Sequence, residues 1–95
     1  MGQGSRKRPQ PKLLAKKLKT IREECGWTQQ QMAGQLRKTP SAPDGAMISR
    51  FERGEREPNL LVIAAYCEVA RISTDVLIDD KWSVKDLAWA MRQTR

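Results

Sequence analysis

The chain has 95 residues, with 18 Lys plus Arg against 11 Asp plus Glu and no His, giving a formal net charge of +7. That length fits one small domain, and a hydrophobic content of 39% gives a modest core with little surplus stability, which argues against a deep, lidded catalytic cleft. Without His, the commonest general base and the commonest metal-binding nitrogen are both missing, so histidine-dependent hydrolases and nearly all structural zinc modules are excluded, and no catalytic, metal or cofactor site is expected.

The charge is unevenly placed. Eight basic residues and no acid precede Glu23, so the remaining ten bases stand against eleven acids and the rest of the chain sums to −1. Residues 1–10 hold Arg6, Lys7 and Arg8 among Gly, Pro and polar residues, and read as a flexible basic arm. No apolar run approaches the ~18 residues of a membrane span, and the first residues lack a signal peptide's apolar stretch, so a cytoplasmic, nucleoid-associated protein is expected.

Pro11 is expected to open the first helix, in which Leu14, Leu18, Ile21 and Cys25 line one face while Lys12, Lys16, Lys17 and Lys19 lie mostly elsewhere on the surface. Gly26 ends it as a left-handed cap. Thr28 and Gln31 have the spacing of a capping box, opening a short second helix through Met32, Ala33 and Leu36. Residues 37–43, with two prolines and no periodic apolar residue, read as a loop.

Asp44 is the next N-cap, for a third helix with Ile48 and Phe51 inward and Ala46, Ser49, Arg50 and Arg53 on the opposite face, closed by Gly54. Asn59 caps a fourth with Leu60, Ile63, Ala64, Cys67 and Ala70 on one face, and Ser73 a fifth with Val76 and Leu77 inward. Ser83 starts a last helix with Leu87, Ala88 and Met91 on one side and Trp89 on another. Trp27, Met32, Phe51 and Tyr66 read as core residues, and Cys25 and Cys67 as buried free thiols. The expected fold is all-α: a compact bundle of about five short helices over residues 11–80, preceded by the arm and followed by a short helical tail over 81–95.

Two short capped helices in succession, the second with an apolar inner face and a partly basic outer one, describe a helix-turn-helix. The elements Arg22, Gly26-Trp27-Thr28-Gln29, Met32-Ala33, Leu36, Ile48-Ser49-Arg50-Phe51-Glu52-Arg53-Gly54, Pro58-Asn59-Leu60 and Ile72-Ser73 together resemble the Cro/phage-repressor-type helix-turn-helix domain, the XRE family, over roughly residues 13–78. The resemblance implies a lambda-repressor-like fold and a transcriptional regulator that binds double-stranded DNA as a homodimer, its third helix in the major groove. It places Ala46, Ser49 and Arg50 at base-facing positions, of which only Arg50 has the fork for guanine O6 and N7. It gives Gln29 a phosphate contact, for which a helix N-terminus is an independent reason, and sets Arg53 and Arg56 against the flanking backbone. Arg22 and Glu52 match a partly buried structural ion pair, with DNA contact by Arg22 the other reading.

The chain departs from the family pattern between Leu36 and Ile48, where eleven residues replace a short turn and Arg37 stands in place of the turn glycine. Arg37 and Lys38 reach phosphates from this enlarged turn or remain solvated; Arg6, Lys7 and Arg8 follow a minor groove or add non-specific attraction. Gly45 and Ala46 replace longer polar side chains, so direct base readout is thin. That thinness, with Trp89, supports a second reading as a protein-interaction module of antitoxin-like or adaptor type. Membrane-surface binding through the first helix is weaker, its apolar face being committed to the core. No small-molecule substrate is expected. The segment Ser83 to Met91 either dimerises or packs on its own domain.

Overall fold

A computed structural model of the chain describes residues 11–93. These form six helices and no strand: α1 (Leu14–Glu24), α2 (Gln29–Gln35), α3 (Gly45–Glu52), α4 (Leu60–Ala70), α5 (Thr74–Ile78) and α6 (Val84–Gln93). The arm, with Arg6, Lys7 and Arg8, lies outside the described residues.

Short helices need their exposed first N–H groups satisfied, and four of the six do this with a local side chain. Thr28 Oγ1 accepts from Gln31 N at 3.1 Å while Gln31 Oε1 accepts from Thr28 N at 2.8 Å, a closed capping box at α2. Asp44 caps α3 through Met47 N at 2.8 Å, and Asn59 caps α4 through Val62 N at 2.9 Å. Ser83 and Asp86 reciprocate at α6. Ser73 holds the N-cap position of α5, but its side chain makes no capping hydrogen bond. For α1 the capping group is remote. The helix starts at Leu14, later than Pro11 suggests, and the Asp80 carboxylate accepts from the backbone N–H groups of Lys12 at 2.8 Å and Leu13 at 3.1 Å.

The core joins Leu14, Leu18 and Ile21 of α1 with Met32 of α2, Leu36 at its C-cap, and Ile48 and Phe51 of α3; α1 packs on α3, α4, α5 and α6, and α2 packs on α3. Gly26 and Gly54 turn the chain out of α1 and α3 at φ 75° and 74°, the left-handed region that costs glycine least. In α4 the buried residues are Val62, Ile63, Tyr66, Cys67 and Ala70, whereas Leu60 and Ala64 are exposed, so the buried face is rotated from the expected one. The segment from Leu60 to Cys67 is apolar at every position, which leaves periodicity nothing to select.

Lys17 does not lie on the surface, where it is expected. It is fully buried, and its Nζ donates to the carbonyls of Val76 at 2.8 Å and Asp79 at 3.0 Å, satisfying the end of α5 from α1. Desolvation lowers its pKa, opposed by the charges of Asp80, Asp79 and Asp86. Cys67 is buried, which raises its thiol pKa, while Cys25 and Trp27 are only partly buried at the edge of the core.

The C-terminal helix belongs to the bundle. Leu87 and Met91 of α6 are buried, and Arg92 holds Glu24 of α1 through two hydrogen bonds of 2.9 and 3.2 Å. Trp89, on the other side of α6, remains 64% exposed.

Candidate nucleic-acid interface

The helix pair α2–α3 carries the candidate site. Ile48 and Phe51 fix the inner face of α3, which leaves Ala46 and Arg50 exposed and Ser49 half-buried. The Arg50 side chain makes no hydrogen bond or ion pair to any described residue, so its five donors remain open. Ser49 is engaged differently: its Oγ accepts from Arg53 Nη1. The rest of the Arg53 guanidinium lies on Glu55, with Nε to Oε2 at 2.9 Å and Nη2 to Oε1 at 3.0 Å. Hydrogen bonding across this exposed pair raises the Arg53 pKa and lowers that of Glu55. Two expected DNA ligands are therefore bonded to each other in the free protein.

Glu52, one residue earlier, organises the inner side of the pair. Its carboxylate, 4% exposed, accepts from Arg22 Nε at 2.7 Å and Arg22 Nη2 at 3.0 Å, while Arg22 Nη1 donates to the Trp27 carbonyl at 2.9 Å. The hydrogen bond to Glu52 raises the Arg22 pKa. Arg22 thus has all three guanidinium nitrogens committed inside the fold. Gln29, at the start of α2, donates Nε2 to Glu52 Oε1 at 3.2 Å, so one carboxylate ties α1, α2 and α3 together. An amide nitrogen carries two N–H groups, and Gln29 keeps one for another acceptor. The buried Tyr66 hydroxyl finds no partner among the described residues; burial and the Glu52 charge raise its pKa against the opposing effect of Arg22.

The remaining basic residues frame this surface. Arg56 is exposed beside Phe51 and Pro58. In the enlarged turn, Arg37 and Lys38 are exposed; Arg37 Nη1 donates to the nearby Gly34 carbonyl at 3.4 Å, and Ser41 adopts φ 57°. Of the basic residues in α1, Lys16 and Lys19 are at least partly exposed, whereas Lys17 and Arg22 are spent on internal contacts. No group of three or more metal-ligating side chains occurs among the described residues, and no described helix is long and apolar enough to cross a membrane.

The helix-turn-helix family model matches residues 18–77, most of the chain, and runs from within α1 through most of α5. The chain belongs to the Cro/C1-type helix-turn-helix family, also called XRE. No curated protein and no solved structure matched. Membership supports a DNA-binding regulator of the XRE type. In XRE terms α2 and α3 are the helix-turn-helix pair, and the enlarged turn between them leaves the caps and apolar contacts of both helices intact.

One residue of this surface escapes pattern reading. Gln30 of α2 is exposed and carries no motif position, yet it lies against Gly45 of α3. A glycine at the first position of a capped helix is the available signal, since it permits close approach by a neighbouring group.

Proposed function

We propose that the protein is a sequence-specific DNA-binding transcriptional regulator of bacterial or phage type, which occupies an operator with α3 in the major groove. The observation that supports this most directly is the Arg50 guanidinium, exposed and bonded to no described residue on the outer face of α3. It reads guanine O6 and N7, Ala46 meets a thymine methyl, and Ser49 contributes a hydroxyl when Arg53 turns to phosphate. Gln29 presents its remaining N–H to a phosphate, with Arg53, Arg56, Arg37 and Lys38 along the flanking backbone. Arg6, Lys7 and Arg8 add sequence-independent attraction. Selection of DNA sites from a random pool, followed by binding at several salt concentrations, tests this: a defined consensus with steeply salt-dependent affinity is expected, and enrichment of no sequence overturns it.

A homodimer on a two-fold operator is part of the proposal. Sedimentation with and without a selected palindromic duplex reads the stoichiometry directly; one chain per full site contradicts it. The protein-interaction reading draws on the apolar side chains at the surface, Leu60 at 75% and Trp89 at 64% exposure. A specific protein complex that forms with Arg50→Ala as well as with the wild type, in the absence of an enriched DNA site, would favour it.

A further inference from the structure

The first turn of α3 bears almost no side chain of its own: Gly45 has none, Ala46 has a methyl, Met47 is partly buried and Ile48 fully buried. A Cβ added to Gly45 would overlap Gln30 Oε1 and lie within 3.4 Å of Gln30 Cδ and 3.6 Å of its Cα. Gly45 is itself buried where α2 meets α3, and the Gln30 amide oxygen lies against it, in the space that the first side chain of α3 would fill. Gln30 as a whole remains exposed, and its amide makes no hydrogen bond to a described residue.

We propose that Gln30 is a base-reading residue, supplying from α2 the carboxamide that α3 lacks at its first position. Its Oε1 accepts and its Nε2 donates, the pair that matches adenine N6–H and N7 in the major groove. Glycine at position 45 is then part of the reading device, because any side chain there displaces the amide. Gln29, the preceding residue, has its amide nitrogen held by Glu52, and its remaining N–H is assigned to a phosphate. The inference rests on the DNA-reading proposal and extends it to a second position in each half-site, separate from that of Arg50.

The test is site selection and competition binding with the wild type, Gln30→Ala, Gln30→Glu and Gly45→Ala. Gln30→Ala and Gln30→Glu should each lose roughly tenfold in preference for adenine at one position of the half-site, and for the charge-neutral Gln30→Ala the salt slope, the preference read by Arg50 and the melting temperature should be unchanged. Gly45→Ala should lose the same preference with Gln30 present. A duplex carrying 7-deazaadenine at that position, which removes N7, should weaken binding by the wild type but not weaken binding by Gln30→Ala further. A consensus that survives Gln30→Ala, or deaza and Gln30→Ala losses that simply multiply, overturns this inference alone. A wild type that enriches no sequence overturns the DNA-reading proposal and this one together.

Discussion

Glu52 and Arg22 meet in a fork of 2.7 and 3.0 Å that joins α3 to α1, with the carboxylate buried and the guanidinium largely shielded. Removing one partner leaves the other's charge without a counter-ion, so Glu52→Ala should destabilise the fold by about 3 kcal/mol. Because Gln29 bonds the same carboxylate, α2 should loosen as well. Chemical denaturation measures the first effect and amide exchange in α2 the second. Arg22→Met combined with Glu52→Met should lose less than either single change; equal or greater loss would contradict the desolvation argument.

Tyr66 presents the opposite case. Its hydroxyl is buried without a described partner, so removal leaves the ring's packing in place and eliminates a desolvated dipole. Tyr66→Phe is expected to be neutral or to raise stability by up to about 1 kcal/mol, measured by thermal unfolding. A loss of that size would mean that the hydroxyl has a bonding role.

Asp80 makes stability depend on acid. Hydrogen bonds from the Lys12 and Leu13 backbone hold its pKa below the ordinary carboxylate value, opposed by desolvation and assisted by Lys17 and Lys12. A carboxylate with a depressed folded-state pKa stabilises the fold above its unfolded pKa of about 3.9 and loses that contribution as pH falls through the folded value. The wild type should therefore lose more stability between pH 6 and pH 3 than Asp80→Asn does. Parallel pH profiles would show that Asp80 does not anchor α1.

Lys17 and the arm divide the positive charge into two kinds. Lys17→Met removes the donor to the Val76 and Asp79 carbonyls and should cost about 2 kcal/mol of stability, while leaving the salt slope of DNA binding unchanged. Replacing Arg6, Lys7 and Arg8 by Ala should do the reverse, reducing the magnitude of the slope by up to about 0.9 for each phosphate that is no longer neutralised. Denaturation and salt titration of both variants separate the two roles, and a reduced slope for Lys17→Met contradicts the assignment.

The fold is legible in the sequence wherever a local rule is strong. Thr28, Asp44 and Asn59 each bond the backbone N–H that their cap positions require, and Gly26 and Gly54 take the left-handed turns. It is illegible where tertiary contacts decide. Helix phase places Lys17, three residues after Leu14 and four before Ile21, on the buried side of α1 and Lys16 off it, but only the docking of α5 supplies the carbonyls that let a lysine be buried there. The end of α4 falls at Arg71, left-handed at φ 58° without the glycine that usually marks such a stop. At the candidate site, helix phase alone finds Arg50, because Ile48 and Phe51 fix the outer face. It does not find the Ser49–Arg53 bond or the seating of Gln30 on Gly45, which depend on side-chain rotamers and on how α2 packs over α3.

The most direct test of base reading through α3 is the ratio of affinities for the selected operator and for a scrambled duplex of equal length, measured at one salt concentration for the wild type and Arg50→Ala. The ratio should fall by roughly tenfold or more in the variant, because a bidentate guanine pairing is removed, while affinity for the scrambled duplex changes little. A ratio that stays at the wild-type value would contradict the reading of DNA through α3.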